Sequence, residues 1–224
     1  MSKHIVVAVP AYTGTVYLAT MRSLIHDVMT LVGRGDVVTI DDECGSADLR
    51  DNRAAMAARF LAGSGTHLVN IDHDVAWEPG ALVRLVDHPV DVVAGVYPKR
   101  EDPISFPIQY LDRPTLVADP ATGLLELKAV QGGFVCYTRA CLERMAEAYR
   151  DLAFRSSRYP EHELPGLWRE LMVGDAKLGE DFAFFHRWRA IGGQVWADPE
   201  ITMVHTGPKA FIGSFGDWLR NRAS

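Results

Sequence analysis

Two carboxylates, one residue apart, stand at the end of a short apolar run. Leu68, Val69 and Ile71 lead directly into Asp72-His73-Asp74, and Pro79 then opens a helical segment that reaches Asp87. Side chains at i and i+2 of an extended chain point the same way, so both carboxylates can face one object. An unpaired buried charge is expensive, which asks for a partner. A divalent cation carrying a diphosphate suits the pair, because Mg²⁺ and Mn²⁺ take oxygen ligands and are often held by one or two carboxylates plus phosphate. The plainer alternative is an acidic turn in which Asp74 caps the following helix.

Other residues can join this chemistry. Glu180-Asp181 opens an aromatic-rich helical stretch, where acids interact favourably with the macrodipole. A carboxylate kept ionised there can accept a proton from a hydroxyl nucleophile, and its neighbour can bind the acceptor. His205 lies at a strand end before Gly207-Pro208. A neutral imidazole joining two carboxylates makes a plausible Mn²⁺ site, so Asp72, Asp74 and His205 are the candidate ligands of Mn²⁺ or Mg²⁺. Arg50, Arg53, Lys99 and Arg100 are candidates for phosphate contacts, the arginines through their bidentate fork. The alternative for each is a solvated helix face or loop, the reading adopted for Arg59. Trp168, Trp188, Trp196 and Trp218 read as core or acceptor-platform residues, with Trp168 on the acceptor side.

The elements that must position these groups alternate along the first hundred residues. His4–Val9 is a β-branched run of the kind found in fully buried parallel strands. Tyr17, Leu18, Met21, Leu24, Ile25, Val28, Leu31 and Val32 follow at helical spacing. Then come a strand over 37–40, an Ala-rich helix over 47–62, the strand ending at Asp72, the helix to Asp87 and a strand over 91–96. Short connections in this β-α-β order specify a mostly parallel sheet flanked by helices, with ligands beyond the carboxyl ends of the strands. Those ends carry Pro10-Ala11-Tyr12, Asp41-Asp42-Glu43, Asp72-His73-Asp74 and Tyr97-Pro98-Lys99-Arg100. The fold would bring all four together.

The second half differs. Residues 101–122 form a Pro-rich excursion containing Pro103, Pro107, Pro114 and Pro120. Strands are expected over 124–130 and 133–138, a helix over 139–149, a mobile loop over 153–178 with a short helix near Trp168, and a helix over 179–191. Short strands at 194–196 and 201–204 follow. One domain is expected, with a first half over 1–100 and a smaller mixed half over 101–224; the resemblance described below implies nucleotide-sugar binding for the first and acceptor binding for the second.

Composition bounds the reading. The 224 residues are 48% hydrophobic and 23% charged, enough for a sizeable core. A formal net charge of −6 weighs against a general nucleic-acid binder. Three cysteines without metal-site spacing suit a reducing, cytoplasmic compartment, and no apolar run approaches a membrane span. No Gly-x-Gly-x-x-Gly follows the first strand, no Walker-type Gly-Lys-Ser/Thr appears, and there is no Gly-x-Ser-x-Gly elbow.

Read in order, AVPAY, VVTIDDECGSAD, THLVNIDHDVAWEPGALVRL, DVVAGVYPKR, GGFVCYTR, GEDFAFFHRWRAIGG and VHTG resemble the GT-A glycosyltransferases, most of all the small family-2-type members common in bacteria and phages. The resemblance implies a donor base-and-ribose pocket at Pro10, Ala11, Tyr12, Asp41 and Asp42. It also implies a DxD motif at Asp72-His73-Asp74, an acceptor-side segment at Gly132-Gly133-Phe134, an ED motif at Glu180-Asp181 with Asp181 as base, and a late metal-site histidine at His205. The family's Asp-Asp-Gly-Ser run reads Asp41-Asp42-Glu43-Cys44-Gly45-Ser46 here. Its Arg-Asn early in the second helix reads Arg50-Asp51-Asn52-Arg53, which leaves open which arginine serves the donor. The expectation is metal-dependent transfer of a sugar from a UDP- or GDP-sugar to an acceptor hydroxyl, with inversion. The rivals are a nucleotide-sugar-forming nucleotidyltransferase and a non-catalytic nucleotide- or carbohydrate-binding protein.

Overall fold

The computed structural model describes residues 2–112 and 115–222; Pro114, part of the Pro-rich stretch, lies outside them. The chain begins with β1 (His4–Pro10), α1 (Leu18–Gly33), β2 (Val37–Glu43), α2 (Leu49–Ala62) and β3 (His67–Ile71). β1 pairs in parallel with both β2 and β3. Alternate residues of β1 serve opposite faces of the sheet. Ile5, Val7 and Val9 join Leu31 of α1 on one side, and Val6 and Ala8 join Met56 and Phe60 of α2 on the other.

After β3 the chain turns through Asp72-His73-Asp74 into β4 (Val75–Trp77), then α3 (Ala81–Asp87) and β5 (Val92–Gly95). The next elements are β6 (Leu125–Leu127), β7 (Phe134–Thr138) and α4 (Arg139–Ala148). The seven-stranded sheet has the order β2-β1-β3-β7-β5-β12-β6, where β12 is Val195–Asp198. β7 runs antiparallel between β3 and β5, and β6 closes the far edge antiparallel to β12. The sheet is therefore mostly parallel, as expected, but β3 and β5 are separated by a strand that arrives forty residues after β5 in the sequence. Local periodicity carries no information about such a long-range insertion.

Two further departures bear on the site. The segment 153–178 is not a loop with a short helix. It forms two hairpins, β8 (Phe154–Ser156) with β9 (Tyr159–Leu164), and β10 (Leu171–Val173) with β11 (Ala176–Leu178). The first packs across α2, where the Tyr159 hydroxyl donates to Asn52 Oδ1 at 3.0 Å. Trp168 lies between the hairpins, buried, and stacks on Phe184 of α5 (Glu180–Ala190). The second departure is a small sheet, β14-β13-β4, built from β13 (Thr202–Thr206), β14 (Ala210–Ser214) and β4, followed by α6 (Phe215–Arg222). Its pairing of His205 with Val75 brings the late histidine beside the acidic turn.

The helix over 18–33 forms as its spacing requires, but its apolar residues divide between two faces: Leu31 is buried, Leu24 and Val28 are half-buried, and the rest of the expected stripe faces out. Its buried residues are Thr20, Asp27 and Leu31, while Leu18, Met21, Ile25, Met29 and Val32 are exposed. The cause is Asp27. Its carboxylate, fully buried, accepts from Trp77 Nε1 at 2.9 Å, Gly80 N at 2.7 Å and Leu82 N at 2.9 Å. Gly80 takes a left-handed φ of 91° at the start of α3 and has no side chain to cap it. Asp27 supplies that cap from another helix.

Candidate active site

Four strand ends and one helix start define the site. Pro10 at the end of β1 and Tyr12 beyond it, Ser46 and Ala47 before α2, Leu49 and Asn52 in its first turn, Asp72, His73 and Asp74 beyond β3, Tyr97 and Arg100 beyond β5, and His205 of β13 line one cleft of about 330 Å³. A parallel sheet presents its carboxyl strand ends together, so residues far apart in sequence share this wall.

The acids are held by specific cations. Arg53, only 1% exposed, reaches from α2 between two motifs: Nη2 lies 3.4 Å from Asp72 Oδ1, and Nη1 pairs with Asp181 Oδ1. The other Asp181 oxygen accepts from Gly132 N at 2.7 Å. Asp72 Oδ2 accepts from the Tyr97 hydroxyl at 3.0 Å, and its backbone N donates to the Gly133 carbonyl at 2.9 Å. The glycines are there for closeness. A Cβ on Gly132 would lie 2.2 Å from Asp181 Oδ1, and one on Gly133 would lie 2.1 Å from Asp72 Oδ2. Only a residue without Cβ lets both carboxylates lie against the same turn. Burial, and next the Asp72 carboxylate, push the Tyr97 phenol well above its ordinary range. It therefore remains a donor to Asp72.

Asp74 points elsewhere. Its carboxylate pairs with Arg100, and its Oδ1 lies 3.7 Å from His205 Nε2. The other imidazole nitrogen, Nδ1, faces the Pro98 carbonyl at 2.9 Å. A carbonyl only accepts, so Nδ1 carries the proton and the Nε2 lone pair faces Asp74. Burial lowers the His205 pKa, which favours this neutral form. The ring also meets Tyr97 edge-on, with centroids 4.9 Å apart.

The expected metal ligands are only partly gathered. Asp74 and His205 offer one oxygen and one nitrogen to a common point, a fit for a divalent ion that completes its shell with phosphate oxygens. Asp72 is turned toward Arg53 and Tyr97. Among the described residues, no three His, Cys, Asp or Glu side chains come together as a metal-binding group.

The remaining sequence candidates fall in different places. Ala11 is buried and donates its N–H to the Glu43 carbonyl at 2.8 Å. Asp41 pairs with Arg59; burial pushes its pKa up and the arginine opposes this. Asp42 is exposed and accepts from the Cys44 thiol. Neither acid lines the cleft. Arg59 is thus a strut between α2 and β2, not a solvated side chain. Arg50 pairs with Asp48, the α2 N-cap, and with Glu170. Lys99 lies 3.7 Å from Glu101. Phe134 is buried against Trp77 with ring centroids 4.6 Å apart. Glu180, at the start of α5, is half-buried. Tyr97 was not singled out from the sequence, although the Tyr-Pro-Lys-Arg strand end that contains it was.

No protein-family model matches the sequence, and neither does any curated protein. Among solved structures, A197 from STIV superimposes with a TM-score of 0.60 over 95% of this chain and 91% of that one, at 14% identity. The catalytic domain of Drosophila β1,4-galactosyltransferase 7, solved with xylobiose, overlaps 93% of this chain and 67% of that one at a TM-score of 0.48 and 13% identity. GalNAc-T7, solved with UDP, GalNAc and Mn²⁺, overlaps 91% of this chain and 44% of that one at 0.45 and 12%. The likeness to A197 is one of fold, over nearly the whole of both chains.

Proposed function

We propose that the chain is a glycosyltransferase that moves a sugar from a UDP- or GDP-sugar to an acceptor hydroxyl with inversion of configuration. One observation carries the reading. Asp72 of the first acidic motif lines the cleft, and the buried Arg53 ties it to Asp181 of the second. A donor-binding acid and a proton acceptor must sit that close for one substrate to touch both.

Pro10 and Tyr12 offer an apolar wall and an aromatic face to the base and ribose. Arg100 offers a guanidinium fork to the diphosphate. A divalent ion held by Asp74 and His205, when bound, would supply positive charge to the departing nucleoside diphosphate. Asp181, paired with Arg53 and accepting from the Gly132 N–H, takes the acceptor's hydroxyl proton as the new bond to the anomeric carbon forms and the bond to the phosphate oxygen breaks. Glu180, next to it, binds the acceptor.

The test is release of nucleoside diphosphate from a panel of nucleotide-sugars with Mn²⁺ or Mg²⁺, with a chelator control. Release from one donor that falls to background with the chelator and in Asp181→Asn, while nucleotide binding persists, is the expected result. Release of pyrophosphate instead would mark a nucleotidyltransferase. Absence of any nucleotide binding would sink the reading.

A further inference from the structure

An apolar stripe runs the whole length of α1 with nothing described in front of it. Leu18, Met21, Ile25, Met29 and Val32 are 54%, 40%, 51%, 70% and 54% exposed. At 3.6 residues per turn they fall within about 80° of arc. Contiguous exposed apolar surface of this kind marks an interaction site. The core side of the helix is already committed through Asp27 and Leu31, so the stripe cannot turn inward.

The spacing of the stripe identifies what covers it. The steps from Leu18 to Val32 are three, four, four and three residues, the same read in either direction, with Ile25 at the centre. Steps of three and four keep the stripe on one side of the helix, as in a helix-pairing seam. A seam symmetric about its midpoint is self-complementary under a two-fold axis. Two antiparallel copies place Leu18 opposite Val32, Met21 opposite Met29, and Ile25 opposite itself. Ile40 on the neighbouring edge strand β2 is a further 47% exposed, and Val16 and Tyr17 before the helix are 44% and 42% exposed. These side chains widen the apolar patch beyond the stripe itself. A lipid surface fits less well. Interfacial helices carry Lys and Arg along the polar face, whereas Arg22 is the one such residue between Leu18 and Gly33, in a chain of net charge −6.

We propose that the exposed face of α1 is the interface of a two-fold homodimer, packed helix to helix about Ile25. Light scattering on the full chain should give twice the 24.8 kDa chain mass. Ile25→Asp sets two carboxylates against each other at the axis and should halve the mass, with the circular dichroism spectrum unchanged. Cys44 is the exposed cysteine, and Cys136 and Cys141 are buried. In a Cys44→Ser background, Ile25→Cys should therefore cross-link to a covalent dimer under mild oxidation, and Thr30→Cys, off the stripe on the same helix, should not. A monomeric wild type would overturn the proposal, as would equal cross-linking at positions 25 and 30. So would a monomer that pellets with anionic vesicles and loses that property in Ile25→Asp.

Discussion

The two helices that flank β1 follow opposite rules. α2 has almost no apolar stripe, yet Asn52, Arg53, Ala54, Ala55, Met56, Ala57, Ala58 and Phe60 are all buried. The sheet lies on one side and the β8–β9 hairpin on the other. α1 leaves Leu18, Met21, Ile25, Met29 and Val32 exposed and buries an aspartate beside Leu31. In each case a charged side chain with backbone-scale obligations decides the orientation. Asp27 must reach three donors around α3, and Arg53 must reach the carboxylates of Asp72 and Asp181. Burying an uncompensated charge costs more than leaving one apolar side chain wet, so the charge is placed first and the apolar residues take what remains.

The comparison breaks most readily at Asp27. Asp27→Ala orphans the Trp77 indole N–H and the two amides at the start of α3. Each buried unsatisfied donor costs about 1–3 kcal/mol, so a loss of about 4 kcal/mol is expected in urea unfolding. A loss below about 1 kcal/mol would mean that the helix is oriented by something else. Arg53→Leu comes next. It leaves Asp72 and Asp181 facing each other without their cation, and removal of one partner of a buried pair costs about 3 kcal/mol. On the proposed function this variant also loses transfer activity beyond what its stability loss explains, measured well below its unfolding midpoint.

The two methionines of these helices sharpen the contrast further. Met56 of α2 is fully buried and Met29 of α1 is 70% exposed. Met56→Ala should cost about 2 kcal/mol. Met29→Ala, in an Ile25→Asp background that removes any self-association, should stay within about 0.5 kcal/mol. Equal costs would show that α1 is covered within the monomer.

These helices also show what the sequence could and could not say. Periodicity located α1 and the Ala-rich run located α2, each to within a residue or two; periodicity reports that one face differs from the other. It does not report which face meets the core, because that was settled by hydrogen bonds that Asp27 accepts from Trp77, Gly80 and Leu82, far along the chain. The strand-end clusters were legible because a parallel sheet converts sequence position into spatial convergence, and Pro10, Tyr12, Asp72, Asp74 and His205 do line one cleft. The antiparallel β7 was not legible as a divider of β3 and β5. Nor was the role of Arg53, which depends on Asp181 arriving from α5. The hairpins over 154–178 were missed because their short strands carry mixed polar residues with half-exposed faces, too brief for an alternation signal.

The smallest effect concerns the far end of α1. Arg34, its C-cap residue, donates from Nη2 to Asp87 Oδ1 at 2.9 Å, and Lys3 pairs with the same carboxylate. Asp87 closes α3, so this contact ties the ends of the two helices that Asp27 joins at their middle and start. The hydrogen bond from Arg34, and next the one from Lys3, hold the Asp87 pKa at about 2, below its ordinary 3.8. A depressed carboxylate contributes stability that is present above its unfolded value and lost as pH falls through its folded value. The contribution should therefore disappear between about pH 4 and pH 2. The Asp87 side chain is 43% exposed, so solvent screening limits the effect to less than about 1 kcal/mol. Asp87→Asn should flatten the acid limb of the stability curve by that amount and leave stability at pH 4 lowered by no more. If Asp87→Asn instead cost as much as Asp27→Ala, the surface clamp and not the buried aspartate would be what fixes α1.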